Sequence, residues 1–292
     1  MLAWLYWDPS PELLILPFIN IPITWYGLLF AIGFWLGLQI FTHIFKNFID
    51  SKGISNSSAI ANTYSERLLL YVIVATVLGA RLGHILFYEH PMEYFANPIS
   101  ILKTWEGGLA SHGAIVAIVI AVLLFSLRTR KEFPDFGFLK LLDSLAIPAM
   151  LVGALIRIGN FMNQEILGTT TDKPWGIIFG HPRDGGGISP RHPAQLYEAI
   201  FYFALFLLLL SLWSFKKEKI APGRIAGINL FSTFTFRFLI EFIKEGQSIW
   251  FDSPDVLFVM GQILSIPIAL FGLYLLLKSP KLEKNKFLKD VA

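Results

Sequence analysis

Four polar residues crowd the end of a long apolar run in "LIRIGNFMNQEILG": Arg157, Asn160, Asn163 and Glu165. More ionisable residues stand in apolar surroundings elsewhere. They are Arg81 in "GARLGHILFY", His112 in "GGLASHGA", and Arg237, Glu241 and Lys244 in "FRFLIEFIK". Two or three arginines in a dry site suit a phosphate, gripped by bidentate charge-assisted hydrogen bonds. A histidine beside them can move a proton near neutral pH. The chain has no cysteine, so it can form no disulfide, thiolate metal site or cysteine nucleophile. Any thiol chemistry needs a thiol brought by the substrate. Neither a metal nor a cofactor is expected.

The elements that position these residues follow from composition. Of 292 residues, 54% are hydrophobic and 15% charged, with a mean hydropathy of +0.59; a soluble domain is about a quarter charged. A membrane span takes roughly 20 apolar residues, and seven such runs occur, at about Trp25–Phe45, Arg67–Tyr88, Leu109–Leu127, Phe138–Gly159, Ala194–Phe215, Ile225–Ile243 and Val256–Leu277. Backbone polar groups in lipid must pair within their own segment, so these runs should be helices. The expected fold is an all-α polytopic membrane protein, one integral-membrane domain over residues 1–292. Two longer connections stand out, His90–Gly108 and the turn-rich stretch around "HPRDGGGISPRHP". The latter predicts a small extracytoplasmic cap over residues 160–193.

Charge orients the chain. With the N-terminus outside, sixteen Lys and Arg residues fall in inner loops and the tail, residues 278–292, while the outer loops keep Lys103, Lys173, Arg183 and Arg191. The positive-inside rule therefore predicts N-terminus out and C-terminus in. No Lys or Arg precedes Lys46, so no basic n-region of a cleaved signal peptide is expected. The net charge of +3 gathers on the inner face, where it suits anionic headgroups, and gives no case for nucleic acid.

This topology brings the awkward residues to one depth. Arg237 stands above Gly223 by about 21 Å at 1.5 Å per residue, in a core about 30 Å thick. Arg81, His112, Arg157, Asn160 and Tyr26 belong to the same outer level. Each has a plainer explanation: Arg157 snorkelling to headgroups, Arg237, Glu241 and Lys244 as an ion-pair stripe, His112 within a small-residue helix contact, Tyr26 as an interfacial anchor. Arg81 could equally be interfacial. Residues with independent structural roles need not share a level, and intramembrane ionisable groups mark sites. The residues alone lead to an outer-leaflet phospholipid site with an acid or base. A lipid transporter would use the same arginines, whereas an intramembrane serine protease would need a Gly-x-Ser-Gly nucleophile, which does not occur.

At "RIGNFMNQEILG" the chain resembles bacterial prolipoprotein diacylglyceryl transferases, whose signature is Gly-Arg-x-(Gly/Ala)-Asn-Phe-apolar-Asn-x-Glu-x-x-Gly. Arg157, Gly159, Asn160, Phe161, Met162, Asn163, Glu165 and Gly168 match, and Ile156 replaces the first Gly. "WYGLLF", "GARLGHILFY", "GGLASHGA", "RHPAQLYE", "FRFLIEF" and "GQILSIP" extend the resemblance over nearly the whole chain. It implies transfer of diacylglyceryl from phosphatidylglycerol to the lipobox cysteine of a prolipoprotein, releasing glycerol 1-phosphate, in the bacterial cytoplasmic membrane. The family's essential histidine corresponds to His112 and its essential arginines to Arg157 and Arg237. Tyr26, Asn160, Glu165, Gly168 and Glu241 match further positions the family uses, and Arg81 joins them as a substrate-binding candidate. The chain departs from the family pattern at Thr233, commonly tyrosine, at Lys244, frequently arginine, and at Ala114, commonly glycine; its cap is also short.

Overall fold

The computed structural model describes residues 4–17, 21–88, 100, 110–245 and 258–278. Among the described residues, seven helices are long and apolar enough to cross a membrane: α1 (Trp25–Ser51), α2 (Ser57–Tyr88), α3 (Ser111–Thr129), α4 (Phe138–Met162), α5 (Ala194–Lys216), α6 (Arg224–Ile240) and α7 (Met260–Lys278). All seven expected spans are present, with moved ends. Helix α2 begins ten residues before Arg67, because Ala61, Tyr64, Ser65 and Leu68 form a buried stripe at helical spacing. Helix α6 is completed by a 3-10 turn, Glu241–Ile243. The connection His90–Gly108, apart from Ser100, the start of the seventh run at Val256 and the tail after Lys278 lie outside the described residues.

Helix α4 is the centre of the bundle and packs against α1, α3, α5 and α6. Its contacts with α6 are polar and in register. Asp143 accepts hydrogen bonds from the backbone amides of Gly223 and Ala226 (2.7 Å each) and so closes the start of α6. Further along, Asn229 donates to the Ala146 carbonyl (3.0 Å), and the Thr233 hydroxyl, which donates to Asn229 Oδ1 within α6 (2.9 Å), lies 3.4 Å from Met150 Sδ of α4. These contacts hold the two helices side by side, with Arg157 near the end of one and Arg237 near the end of the other.

Among the described residues, five short strands accompany the helices. β1 (Leu5–Trp7) pairs in parallel with β4 (Ile177–Phe179), which pairs antiparallel with β5 (Pro190–Arg191); β2 (Glu12–Leu16) and β3 (Ile21–Thr24) form a hairpin leading into α1. Single bridges join Thr170 to Arg191 and Gly168 to Lys244. The cap is therefore one layer of adjacent ribbons with β1 at one end and Lys244 at the other. Strands of two to five residues leave no readable periodicity, which is why the sequence pointed only to turns here.

Candidate active site

The polar residues of the signature come together where α3, α4, α5 and α6 meet the cap. Glu198, in the first turns of α5, lies at the middle with no solvent exposure. Arg157 Nε approaches Glu198 Oε2 at 3.0 Å, Arg237 Nη1 approaches Oε1 at 3.6 Å, and Lys244 Nζ approaches Oε2 at 4.0 Å. Tyr202, one turn along α5, donates its hydroxyl to Glu198 Oε1 (3.2 Å). A buried carboxylate without such partners would be strongly disfavoured. Here three cations, from α4, from α6 and from the cap edge at Lys244, supply the compensation.

A second branch runs out along the signature. Arg157 Nη1 donates to Asn160 Oδ1 (3.0 Å), and Asn160 Nδ2 donates to Glu165 Oε1 (2.8 Å), which also accepts from Asn163 Nδ2 (3.2 Å). Gln195 of α5 donates to the Glu165 carbonyl (2.7 Å). Charge and dipole alternate along the chain of contacts Glu198, Arg157, Asn160, Glu165, so each group fixes the orientation of the next.

The other candidates fall around this core. The positive charges of Arg237, Lys244 and Arg157 all reach the His112 imidazole, which is buried beside Phe234. Its backbone follows from a close crossing: Gly113 lies against Gly83 and Gly79 of α2, where a Cβ would overlap the Gly79 carbonyl. Ala114 is accommodated in the same crossing. Tyr26 opens α1 against Gly159 and feels the charges of Glu165 and Arg157. Glu241 accepts from Lys244 Nζ (2.9 Å) and rests on the backbone of α7 at Gly261. Gly168 is confined between the cap ribbons: its amide donates to the His192 carbonyl, and a Cβ there would lie 2.5 Å from that oxygen and 2.8 Å from the Ile243 carbonyl. Arg81 is buried as well, and its guanidinium donates to the Ser100 carbonyl (2.7 Å). Thr233, where the family commonly has tyrosine, donates its hydroxyl to Asn229 one turn back in α6 and sits against Met150 of α4.

Sequence reasoning did not single out Glu198, Tyr202 or Gln195, and it took Lys244 as a member of an ion-pair stripe and a departure from the family pattern rather than as a site residue. Glu198 did carry a signal. It is the one acidic residue within the fifth apolar run, and an ionisable residue in a span is a functional candidate by default.

Seven buried side-chain atoms lack an aligned hydrogen-bond partner among the described residues, and six lie in this region: both ring nitrogens of His112, Arg237 Nε, Glu198 Oε2, Gln195 Oε1 and Asn163 Oδ1. The seventh is Arg191 Nε in the cap. A protein interior normally satisfies such atoms. Donors, an acceptor carboxylate and a histidine left in this state at one place suit a polar substrate that enters and bonds to them.

A sequence model of the family described as prolipoprotein diacylglyceryl transferase matches residues 14–278. The chain belongs to that family. It is 43% identical to the phosphatidylglycerol–prolipoprotein diacylglyceryl transferase of Tolumonas auensis over 95% of this chain and 98% of that protein. It is 41% identical to the protein of that name from Porphyromonas gingivalis, over 96% of each chain. With the one from Chloroherpeton thalassium the identity is 40%, over 97% of this chain and 98% of the relative. The match to the family takes in α1 to α7 and ends with α7. Every residue of the buried polar cluster therefore lies within the part of the chain that defines the transferases.

Proposed function

We propose that this chain transfers the diacylglyceryl group of phosphatidylglycerol to the lipobox cysteine of a prolipoprotein, releasing glycerol 1-phosphate, the first step of lipoprotein maturation, and that the buried polar cluster is where it does so. The observation that carries the assignment is the concentration, among the described residues, of buried polar atoms without an aligned hydrogen bond on His112, Arg237, Gln195 and Asn163 around the Glu198 ion pairs. In the reaction the sulfur of the incoming cysteine forms a bond to the glyceryl carbon. The carbon–oxygen bond to phosphate breaks, and its electron pair leaves on glycerol phosphate. Arg157 and Arg237 hold the phosphate and stabilise the leaving charge. His112 takes the thiol proton, since the thiolate is the effective nucleophile.

The remaining residues bind and orient. Asn160 and Glu165 set the Arg157 side chain, Glu241 restrains Lys244, Gly168 lets the cap ribbons close over the site, and Tyr26 and Arg81 line the approach of the lipid. Glu198 acts as counter-ion to the three cations, so that the site holds its shape before an anionic lipid arrives. The protein works in the bacterial cytoplasmic membrane with its N-terminus and cap outside and its C-terminus inside, and its macromolecular partners are prolipoprotein signal peptides. Introduced cysteines test this orientation without background, because the chain has none of its own. Ser189→Cys should react with an impermeant maleimide in intact cells and Asn285→Cys should not; the reverse pattern would place the site at the inner leaflet.

The reaction itself is tested with purified protein in detergent, labelled phosphatidylglycerol and a lipobox peptide. Lipid should pass to the cysteine peptide with release of glycerol 1-phosphate. Treating the protein with maleimide and quenching should leave transfer intact, whereas treating the peptide should abolish it. A serine peptide that accepts lipid at a comparable rate would contradict thiol chemistry at this site.

A further inference from the structure

Glu165 lies in a turn that few side chains adopt. The residues on both sides of it, Gln164 (φ 53°) and Ile166 (φ 60°), occupy the left-handed region, which is costly for any residue but glycine and most of all for a β-branched one. Such a conformation persists only where the surroundings impose it, and around Gln164 the surroundings come from the N-terminal segment and the cap. The Gln164 side chain donates from Nε2 to Asp8 Oδ1 (3.0 Å) and accepts at Oε1 from the His181 amide (2.7 Å). Its carbonyl accepts from the Arg183 amide (3.0 Å). The His181 ring, through Nδ1, meets the same Asp8 oxygen.

The neighbours of Asp8 are built for this contact. A Cβ on Gly180 would stand 2.5 Å from the Asp8 carboxyl carbon and 2.6 Å from the Tyr6 hydroxyl, so only glycine admits the carboxylate there. One residue earlier, Trp7 stacks on Phe161 with ring centroids 4.5 Å apart and donates Nε1 to its carbonyl (3.2 Å). Two consecutive residues of the N-terminal segment thus grip the signature on either side of Asn163, 154 and 156 positions away in sequence. Hydrogen bonds from His181 first and Gln164 second hold the Asp8 carboxyl below the usual carboxylate range, which keeps it ionised as an acceptor in neutral solution.

We infer that Asp8, acting with His181 through Gln164, is a positioning residue for the phosphate seat. It fixes the left-handed turn that presents the Glu165 carboxylate to Asn160, and Asn160 in turn orients Arg157. Asp8 touches none of the cations itself. The inference rests on the assignment of Arg157 to the lipid phosphate.

The test measures KM for phosphatidylglycerol, kcat per folded enzyme and thermal midpoint with the full-length protein in detergent, for wild type, Asp8→Ala, Asp8→Asn, Gln164→Gly, the double variant Asp8→Ala/Gln164→Gly, and Arg157→Lys. Asp8→Ala should raise KM about fivefold, as expected for one lost hydrogen bond. Asp8→Asn keeps the acceptor oxygen and should stay within about twofold of wild type. Gln164→Gly relieves the left-handed strain yet loses both side-chain bonds, so it should raise KM like Asp8→Ala. The double variant should be no worse than either single one, because the contact is shared. A residue that merely supported the fold would lower the midpoint and the folded fraction and leave KM unchanged. Wild-type KM in Asp8→Ala alongside a raised KM in Arg157→Lys overturns the positioning role, as do losses that multiply in the double variant. An unmoved KM in Arg157→Lys removes the phosphate assignment and this role with it.

Discussion

Phe45 and Arg157 are both buried between helices, yet their surroundings have little in common. Phe45, with no exposure, stacks on Tyr64 at 4.1 Å and packs against Phe48, Phe133 and Phe136 where α1, α2, α3 and the start of α4 converge. Around it, charges stay at the surface, as in the paired contacts of Arg67 with Glu132 and Lys52 with Asp135. Arg157, at the other end of the same bundle, faces a buried carboxylate, two further cations and side chains with unsatisfied atoms. At the aromatic end the rings pack on one another, and the buried Tyr64 hydroxyl has the Thr129 hydroxyl as its partner (3.2 Å). The polar end is held in shape at a cost in stability, as is common where strain and polarity serve chemistry. The rigid end gives the helices fixed relative positions, and the polar end uses those positions.

Substitutions that separate stability from catalysis sharpen this contrast. The largest effect is expected at Glu198, where both are joined. Glu198→Gln leaves Arg157 and Arg237 without the carboxylate between them and Lys244 with Glu241 alone, so stability should fall by about 3–5 kcal/mol and transfer should be lost. A thermal midpoint near wild type would show that the cluster is wetter than its burial implies. His112→Gln should next lower the rate by about 10²–10⁴-fold at an unchanged midpoint, and should flatten the acid limb of the pH–rate profile. Residual activity that keeps the wild-type profile would leave His112 a packing or orienting role.

Phe45→Ala probes the opposite end. It should cost about 3–5 kcal/mol through the cavity it leaves, while the folded fraction keeps the wild-type KM for phosphatidylglycerol. A raised KM in that variant would mean that the two ends are not separable. Arg157→Lys keeps the charge but loses the planar pair of donors, and transfer should fall at least about tenfold for a charge-assisted bond worth roughly 1.5–3 kcal/mol. Arg67→Gln should change stability by less than about 1 kcal/mol, the usual range for an exposed pair, with no effect on transfer.

The same contrast explains what could be read in the sequence. The helices were legible because twenty apolar residues in a row have few alternatives, and their ends moved where a polar segment such as Ser57–Glu66 continues a helix beyond the membrane-length run. His112, Arg157, Asn160 and Arg237 stood out as charges and an amide at one depth, and Glu165 as a carboxylate closing an apolar run. The hub was not, because Glu198 shows in the sequence only as a lone acidic residue within an apolar run, with nothing beside it to name its partners. Its three cationic contacts come from residues 41, 39 and 46 positions away. The β1–β4 pairing and the Asp8–Gln164 contact are longer-range still. No local pattern encodes such a partner: β1 is three residues long, and an exposed-looking "DPSPE" gives no sign that its aspartate reaches the signature.

The claim on which the rest depends is that the polar cluster is the seat of the lipid phosphate. The most direct test is an experimental structure of the wild-type protein with phosphatidylglycerol bound. The account predicts a phosphate whose oxygens lie about 3 Å from the guanidinium groups of Arg157 and Arg237, with the His112 ring facing the glyceryl carbon and Glu198 still bridging the cations behind it. Headgroup phosphate bound elsewhere, with Arg157 and Arg237 still paired only to Glu198, would contradict it.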